Sequence, residues 1–322
     1  MKRRTFLSGL AASTLPVWNG AARAQADADG VIRIITGSPA GTPGDVLGRA
    51  LAGPLGTLLG RAVIVENKPG AIGTLALASV ARARPDGTTM GILSLLTTVA
   101  PHLLAKPAAD PLHDVLPLRQ LASWGNVLVV RADGPYGTLD QLVAAARHGG
   151  IAYASGGNGT PAHLAAELFR QSLGLDLQHV PFQGAVGGVN AVIGGHVAMM
   201  FATASAVVGP LAAGRLRALA VSTPRRIPTL PDVPTLAELG HPDVAFEDWL
   251  GLAVPPATPP DVQAKLVAAL SQALSAPEVQ ARLATLGFEA ATTTDSAGFA
   301  ALVRTESARW DGVIRRAGMR AP

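Results

Sequence analysis

The sequence predicts two α/β lobes, each a mostly parallel sheet flanked by helices. Three observations carry that prediction. From residue 31 onward, short β-branched runs alternate with longer stretches of helical periodicity. Strands separated by helices need crossover connections, and crossovers produce parallel pairing. The alternation restarts near residue 126, which divides it into two sets rather than one long sheet. Once a leader is set aside, about 300 residues remain, enough for two domains with separate cores.

The leader comes first. Lys2, Arg3 and Arg4 form a basic start, an apolar run covers 6–17, and Ala22-Arg23-Ala24 offers small residues for cleavage. This is the anatomy of a secretory signal peptide spanning 1–24. The paired arginines ahead of Thr5-Phe6-Leu7 also fit a twin-arginine address. An ordinary secretion signal that carries two arginines is the plainer alternative. Removing 1–24 takes away Lys2, Arg3, Arg4 and Arg23 and no acid, so the formal net charge falls from +4 to zero. A neutral mature chain has no electrostatic reason to bind nucleic acid or an anionic membrane surface.

In the first set, residues 31–36 (VIRIIT), 62–66 (AVIVE) and 89–94 (TMGILS) read as strands, with helical spacing over 45–59 and 74–83. The second set opens at 126–131 (NVLVVR). It continues through strand candidates 151–155, 178–181, 197–201 and 217–222, with helices near 161–173, 186–193 and 206–213. One more short strand is expected at 251–254, followed by helices over 260–275, 277–286 and 296–317. The expected organisation is a first lobe of 31–128 plus 250–322 and a second lobe of 129–249. Two chain crossings between lobes would make a hinge.

The absence of cysteine excludes disulfides and thiolate metal sites. No apolar run after the leader reaches the ~20 residues of a membrane span. At 48% hydrophobic and 15% charged residues, the composition is that of a globular chain despite its many Gly and Pro residues.

Two glycine-rich segments stand between a strand and a helix. One is Ser38-Pro39-Ala40-Gly41-Thr42-Pro43-Gly44-Asp45, and the other is Ser155-Gly156-Gly157-Asn158-Gly159-Thr160-Pro161. Glycine lets the backbone turn tightly and lets a ligand approach main-chain N–H groups. A helix start just beyond adds unpaired donors and the positive end of the helix dipole. Together they suit an anion without any basic side chain. In a parallel lobe both loops fall at the carboxyl ends of strands, where ligands bind. Each loop alone also reads as a structural turn with a good cap, Thr160-Pro161 in one and Asp45 in the other. Two loops in corresponding positions favour a cleft.

Other chemistries fit less well. Neither loop is G-x-G-x-x-G in register, and no G-K-[ST] supplies a phosphate-binding lysine, so no cofactor is expected. No G-x-S-x-G elbow appears, and Ser38 and Ser155 have no evident base. His163 and Glu167 share a helix face, but a metal needs more ligands than that pair. His163 reads as a hydrogen-bonded structural histidine, and Asp45 with Arg49 as a local ion pair. Phe201 and Trp249 read as core. Phe182 and Gln183, at a strand end, read as a pocket wall.

Five segments resemble the extracytoplasmic receptors of tripartite tricarboxylate transporters, often called Bug proteins. They are 39–45 with Arg49; Val65-Glu66-Asn67-Lys68-Pro69-Gly70-Ala71; Arg84-Pro85-Asp86-Gly87; 155–163; and 216–222 with Leu230-Pro231-Asp232-Val233-Pro234-Thr235. Any one of them is weak, but the ordered set is highly specific. The resemblance implies a two-lobed periplasmic binding protein fold, type II-like, that closes on a small organic carboxylate. It places Ala40, Gly41, Thr42, Asp45, Ser155, Gly157, Gly159 and Thr160 on one carboxylate. It gives Ala71, Ile72, Gly73, Thr97, Thr98, Phe182, Gln183, Ala202 and Thr203 the rest of the pocket.

The expected partners are a di-, tri- or aromatic carboxylate and the membrane permease subunits of the transporter, with no nucleic acid and no metal. The expected location is the periplasm, with the leader removed near Ala24. Ala202 and Ala198 stand where relatives carry acids, and the segment 185–190 lacks the usual proline and acid. A ligand ammonium would find few counter-charges, which points to an amine-free acid. A receptor that signals to a membrane sensor is the alternative within the fold. An exported hydrolase or oxidoreductase is the alternative outside it.

Overall fold

The computed structural model describes residues 30–291 and 295–319. The leader, with its arginine pair and its cleavage site near Ala24, lies outside the described residues.

The first lobe begins with β1 (Ile32–Thr36), α1 (Pro43–Leu59) and β2 (Val63–Asn67). A 3-10 turn (Ala71–Gly73), α2 (Thr74–Ala81), β3 (Thr89–Ser94), α3 (Leu95–Leu103) and β4 (Leu116–Trp124) follow. Gly125 alone separates β4 from β5 (Asn126–Arg131), the first strand of the second sheet. After it come α4 (Leu139–Arg147), β6 (Ile151–Ser155), α5 (Pro161–Leu173) and β7 (Leu177–Pro181). That lobe ends with α6 (Ala185–Ile193), β8 (Met199–Thr203), α7 (Ala204–Ala212) and β9 (Leu216–Val221). The chain returns to the first sheet in β10 (Asp248–Val254), then forms α8 (Pro260–Leu274), α9 (Pro277–Leu286), β11 (Glu289–Ala290) and α10 (Ser296–Ala317).

The first sheet has the order β11-β4-β10-β3-β1-β2 and the second β7-β6-β8-β5-β9. Pairing is parallel where crossover helices connect neighbours: β1 with β2 and β3, and β6 with β7 and β8. It is antiparallel around the two strands that carry the chain between lobes. β5 runs against β8 and β9, and β10 against β3 and β4. The two-lobed α/β class is as the sequence predicts, but each sheet is mixed rather than mostly parallel. The physical reason is that β5 and β10 enter their sheets directly from the opposite lobe, with no crossover helix to reverse their direction.

The sequence reading has no strand over 116–124, because Pro117, Arg119 and Gln120 are poor strand residues and nothing there is β-branched. Tertiary pairing overrides that composition. β4 lies along β10, all seven of whose residues are buried, and two register irregularities absorb the mismatch. The sequence does not mark the helix α3 either, because it follows β3 without a loop. Its start is fixed by a capping box: Ser94 Oγ accepts from Thr97 N at 3.2 Å, and Thr97 Oγ1 accepts from Ser94 N at 2.9 Å.

The C-terminal helix α10 packs on α3 and β4 and also reaches α5 of the second lobe. Gln171 Nε2 donates to the Val313 carbonyl at 2.9 Å, and Arg316 Nε donates to Gln171 Oε1 at 2.8 Å. One apolar cluster runs from Leu77 and Leu103 through Trp249 and Trp310 to Phe169 and Phe201. Phe201 and Trp249 are therefore core, as read. At the crossings, Ser222 Oγ accepts from Asn126 N and donates to the Phe246 carbonyl, both at 2.9 Å. One hydroxyl thus fastens the outgoing strand to the returning one.

Candidate functional site

The first glycine loop leaves β1 at Thr36 and enters α1 at Pro43, whose missing N–H costs nothing at a helix start. Its shape is set from behind. Gly41, at φ +82°, donates its N–H to Asp45 Oδ2 at 2.9 Å. The other carboxylate oxygen accepts from Asn67 Nδ2 at 2.9 Å and Arg49 Nε at 3.0 Å. Asn67 also donates to the Ser38 carbonyl at 3.0 Å. Hydrogen bonds and charge from Arg49, with those from Gly41 and Asn67, outweigh burial and hold the Asp45 pKa at about 2. The expected Asp45–Arg49 ion pair is present at 2.9 Å. Asp45 was also placed on the ligand by resemblance, but both its oxygens are taken by the loop and its neighbours. The carboxylate braces Gly41.

The brace yields a testable stability effect. With the pKa lowered from 3.8 to about 2, its contribution is present above pH 3.8 and is lost as pH falls through about 2. Arg49 is half exposed, so solvent screening discounts the pair to about 1–2 kcal/mol. Asp45→Asn should lower stability by that amount at pH 7 in urea unfolding, with the difference shrinking toward pH 2. Equal stability of the two proteins at pH 7 would remove the brace.

The 3-10 turn is pressed against this loop. A Cβ on Gly37 would lie 2.4 Å from Gly73 Cα, and one on Gly73 would lie 2.7 Å from Thr97 Cγ2. Three chain segments meet so closely that only glycine fits at the contact. Ala71 (φ +45°) and Ile72 (φ +53°) are the non-glycine residues with left-handed backbone among the described residues. For β-branched Ile72 that conformation is strained, and strain of this kind collects at functional sites. Thr97 spends its hydroxyl on the α3 cap, whereas the buried Thr98 Oγ1 has no hydrogen-bond partner.

The second glycine loop leaves β6 at Ser155 and enters α5 at Pro161. Gly157 and Gly159 have φ of +131° and +74°. The Gly157 carbonyl accepts from Thr160 Oγ1 at 2.7 Å, and Ser155 Oγ accepts from Gly157 N at 3.1 Å. The Phe182 N–H binds the Ser155 carbonyl at 3.0 Å, which sets half-buried Phe182 and exposed Gln183 beside the loop. Ala202 is buried in the apolar cluster beneath α6 and α7, and Thr203 is the cap residue of α7. Their backbone ends β8, but the Ala202 side chain belongs to the core.

The 3-10 turn beside the first loop and the second loop itself meet one helix, α3, from two lobes. A Cβ on Gly159 would lie 2.8 Å from Leu103 Cδ1, so the second loop abuts the end of α3 whose first turn meets the 3-10 turn. Six residues of helix separate Thr97 from Leu103, a rise on the order of 9 Å.

Beneath the second loop lies a buried polar group that the sequence reading recognised only in part. His163 Nδ1 accepts from Gly159 N at 3.1 Å, the structural hydrogen bond expected of it. Its ring stacks on His179 of β7 at a centroid distance of 3.7 Å, and His179 Nε2 lies 2.6 Å from Ser155 Oγ. Tyr153 OH donates to Glu167 Oε1 at 2.8 Å, and Arg170 Nε to Glu167 Oε2 at 2.9 Å. Burial, then the neighbouring His179, lowers the His163 pKa to about 4, and burial also lowers His179. Burial would raise Glu167, but hydrogen bonds from Arg170 and Tyr153 hold it low. No cluster of three metal-ligating side chains occurs among the described residues.

The sequence profile described as "Tripartite tricarboxylate transporter family receptor" matches residues 47–319. The chain belongs to that receptor family. Solved structures agree with this receptor along nearly their whole length. A TctC solute binding protein from Polaromonas is 31% identical, covering 89% of this chain and 98% of that chain with a TM-score of 0.79. MatC from Rhodopseudomonas palustris, solved with bound malate, is 30% identical over 88% of this chain and 98% of its own, TM-score 0.74. Rpa4515 from R. palustris, solved with adipate, is 27% identical over 90% and 97%, TM-score 0.76. The receptor thus has the fold of periplasmic binding proteins.

Proposed function

We propose that this receptor captures a small, amine-free organic carboxylate between its lobes and hands it to the membrane permease of a tripartite transporter. The observation that carries this reading is the pair of glycine loops at the carboxyl ends of β1 and β6, the second abutting the last turn of α3 and the first joined to its first turn through the Ala71–Gly73 turn. The Thr42 and Thr160 N–H groups turn back onto the Pro39 and Gly157 carbonyls, so the donors that suit a carboxylate are the first-turn N–H groups of the helices the two loops open, and the unpartnered Thr98 hydroxyl adds another. Ala40, Ala71, Ile72, Phe182 and Gln183 would line the rest. In a relative, malate occupies such a receptor, and adipate occupies another. Asp45 is the one acid among the proposed site residues and it is already spent, so nothing there pairs with an ammonium. Ser155, expected from sequence to have no base, has the His179 imidazole 2.6 Å from its Oγ because β7 pairs with β6, but that ring is stacked on His163, and Asp45 is spent on the loop, which supports binding without chemistry.

The division into lobes follows the same reading. The hinge would lie at Gly125 and at the Phe246–Glu247 step, with α10 as the shared flank. Closure would exclude water and strengthen the N–H contacts. Export to the periplasm, with cleavage near Ala24, completes the proposal.

Thermal unfolding with 1 mM malate, adipate, benzoate or glutamate tests it. A ligand at about 100 times its Kd stabilises by about 2.7 kcal/mol, a shift of several degrees. Malate, adipate or benzoate should shift the transition and glutamate should not. A shift with glutamate alone would overturn the amine-free reading, and no shift with any of them would overturn the carboxylate.

A further inference from the structure

We propose that the stacked pair His163–His179 is a proton-operated latch that positions the second glycine loop for its anion, so that acid loosens the grip. This rests on the proposed carboxylate site and adds a control to it. The pair is wired to the loop at both of its left-handed glycines. His163 Nδ1 takes the Gly159 N–H directly, and His179 Nε2 reaches the Gly157 N–H through Ser155 Oγ.

The first of these bonds fixes the protonation state. An imidazole nitrogen that accepts an N–H carries no proton, so His163 is neutral with its proton on Nε2. Adding a proton to Nδ1 sets donor against donor and expels the Gly159 amide. The 3.7 Å stack makes proton uptake by the pair anticooperative, since two imidazolium rings face to face repel and the first proton opposes the second. Protons can reach it, because a cavity of about 360 Å³ lined by Asn158, Gly159, His163, His179 and Met319 opens beside the rings.

The charged and titratable surroundings are Tyr153 on β6, Glu167 and Arg170 on α5, Asp176 before β7, Asp243 on a second 3-10 turn (Pro242–Val244) packed on α5, and Arg316 on α10. Glu167 favours protonation of both rings, and burial opposes it. Glu167 is itself neutralised by Arg170 and Tyr153, so the neutral pair prevails at neutral pH and yields on acidification.

The test follows the amide resonances of Gly157 and Gly159 in the ligand-free mature chain from pH 7.5 to 3.5, together with adipate affinity by calorimetry. The Gly159 amide should shift with His163 as pH falls through about 4, and from pH 7 to 4 adipate affinity should fall about twofold further in the native receptor than in His163→Asn. His163→Asn places an amide oxygen where Nδ1 was. It should restore most of the neutral-pH affinity that His163→Leu loses, and its decline to pH 4 should reflect only protonation of adipate. His179→Gln provides the second variant, with the same expectation for Gly157. If the Gly159 amide ignores the histidine titration, or if the Asn variant shows the wild-type pH profile, the latch is overturned while the carboxylate site stands. If no carboxylate binds but both amides titrate, the latch stands and the ligand reading falls.

Discussion

Gly159→Val should weaken carboxylate binding by about 100-fold or more, equivalent to about 2.7 kcal/mol, in a protein that still folds. Three effects combine at this position. The residue has φ +74°, where a β-branched side chain is strained by about 1–3 kcal/mol. A Cβ there would stand 2.8 Å from Leu103 Cδ1, on the opposite lobe. The shift that relieves both also pulls the Gly159 N–H off His163 Nδ1 and re-aims the N–H groups presented to the anion. Against a domain stability of about 5–15 kcal/mol the strain is survivable, because the clash is with the free end of a leucine. Calorimetric titration with malate and a thermal melt of the same sample separate the two outcomes. Gly159→Ala keeps the φ penalty with less bulk and should fall between. Wild-type affinity in the folded valine protein would dispose of the backbone grip.

That position shows how far the sequence could be read. Gly41, Gly157 and Gly159 were legible because left-handed backbone demands glycine and because each loop joins a strand to a helix. Asp45 with Arg49 was legible as an i,i+4 pair. The partners that fix the loops were not. Asn67 enters because β2 pairs with β1 in a register that sets it opposite Thr36, and His179 because β7 lies beside β6. Nothing local in either segment announces those contacts. The strand β4 was hidden for the related reason that β10, distant in the chain, imposes it. Mixed pairing was hidden too, since alternating elements alone do not show that β5 and β10 arrive from the other lobe.

Asp248→Asn should stabilise the protein above pH 7 and leave it nearly unchanged near pH 4. Asp248 opens β10 at the second crossing, opposite Trp124, and is buried there with Oδ1 accepting the Trp249 N–H at 2.9 Å. Burial, with a smaller push from Glu306, raises its pKa from 3.8 to about 7. A raised carboxyl contributes stability that is complete below pH 3.8 and lost as pH rises through about 7. The limit is a shift of about three pKa units at ~1.4 kcal/mol each, or about 4 kcal/mol. Asparagine keeps the acceptor for Trp249 and cannot ionise, but its added N–H group needs a partner, so the net gain at pH 8 is about 1–3 kcal/mol. The histidine pair acts in the opposite direction, since rings held neutral in the fold cost stability as pH falls below 6.5 toward 4. Melting curves from pH 4 to 9 should therefore show the alkaline limb flattened in the variant and the acid limb retained. The same crossing holds the buried Trp124 Nε1, Asn126 Nδ2 and Trp249 Nε1 without hydrogen-bond partners. A variant less stable than wild type at pH 8 would mean that Asp248 is ionised and held by such donors, and that the crossing is fastened by charge rather than weakened by it.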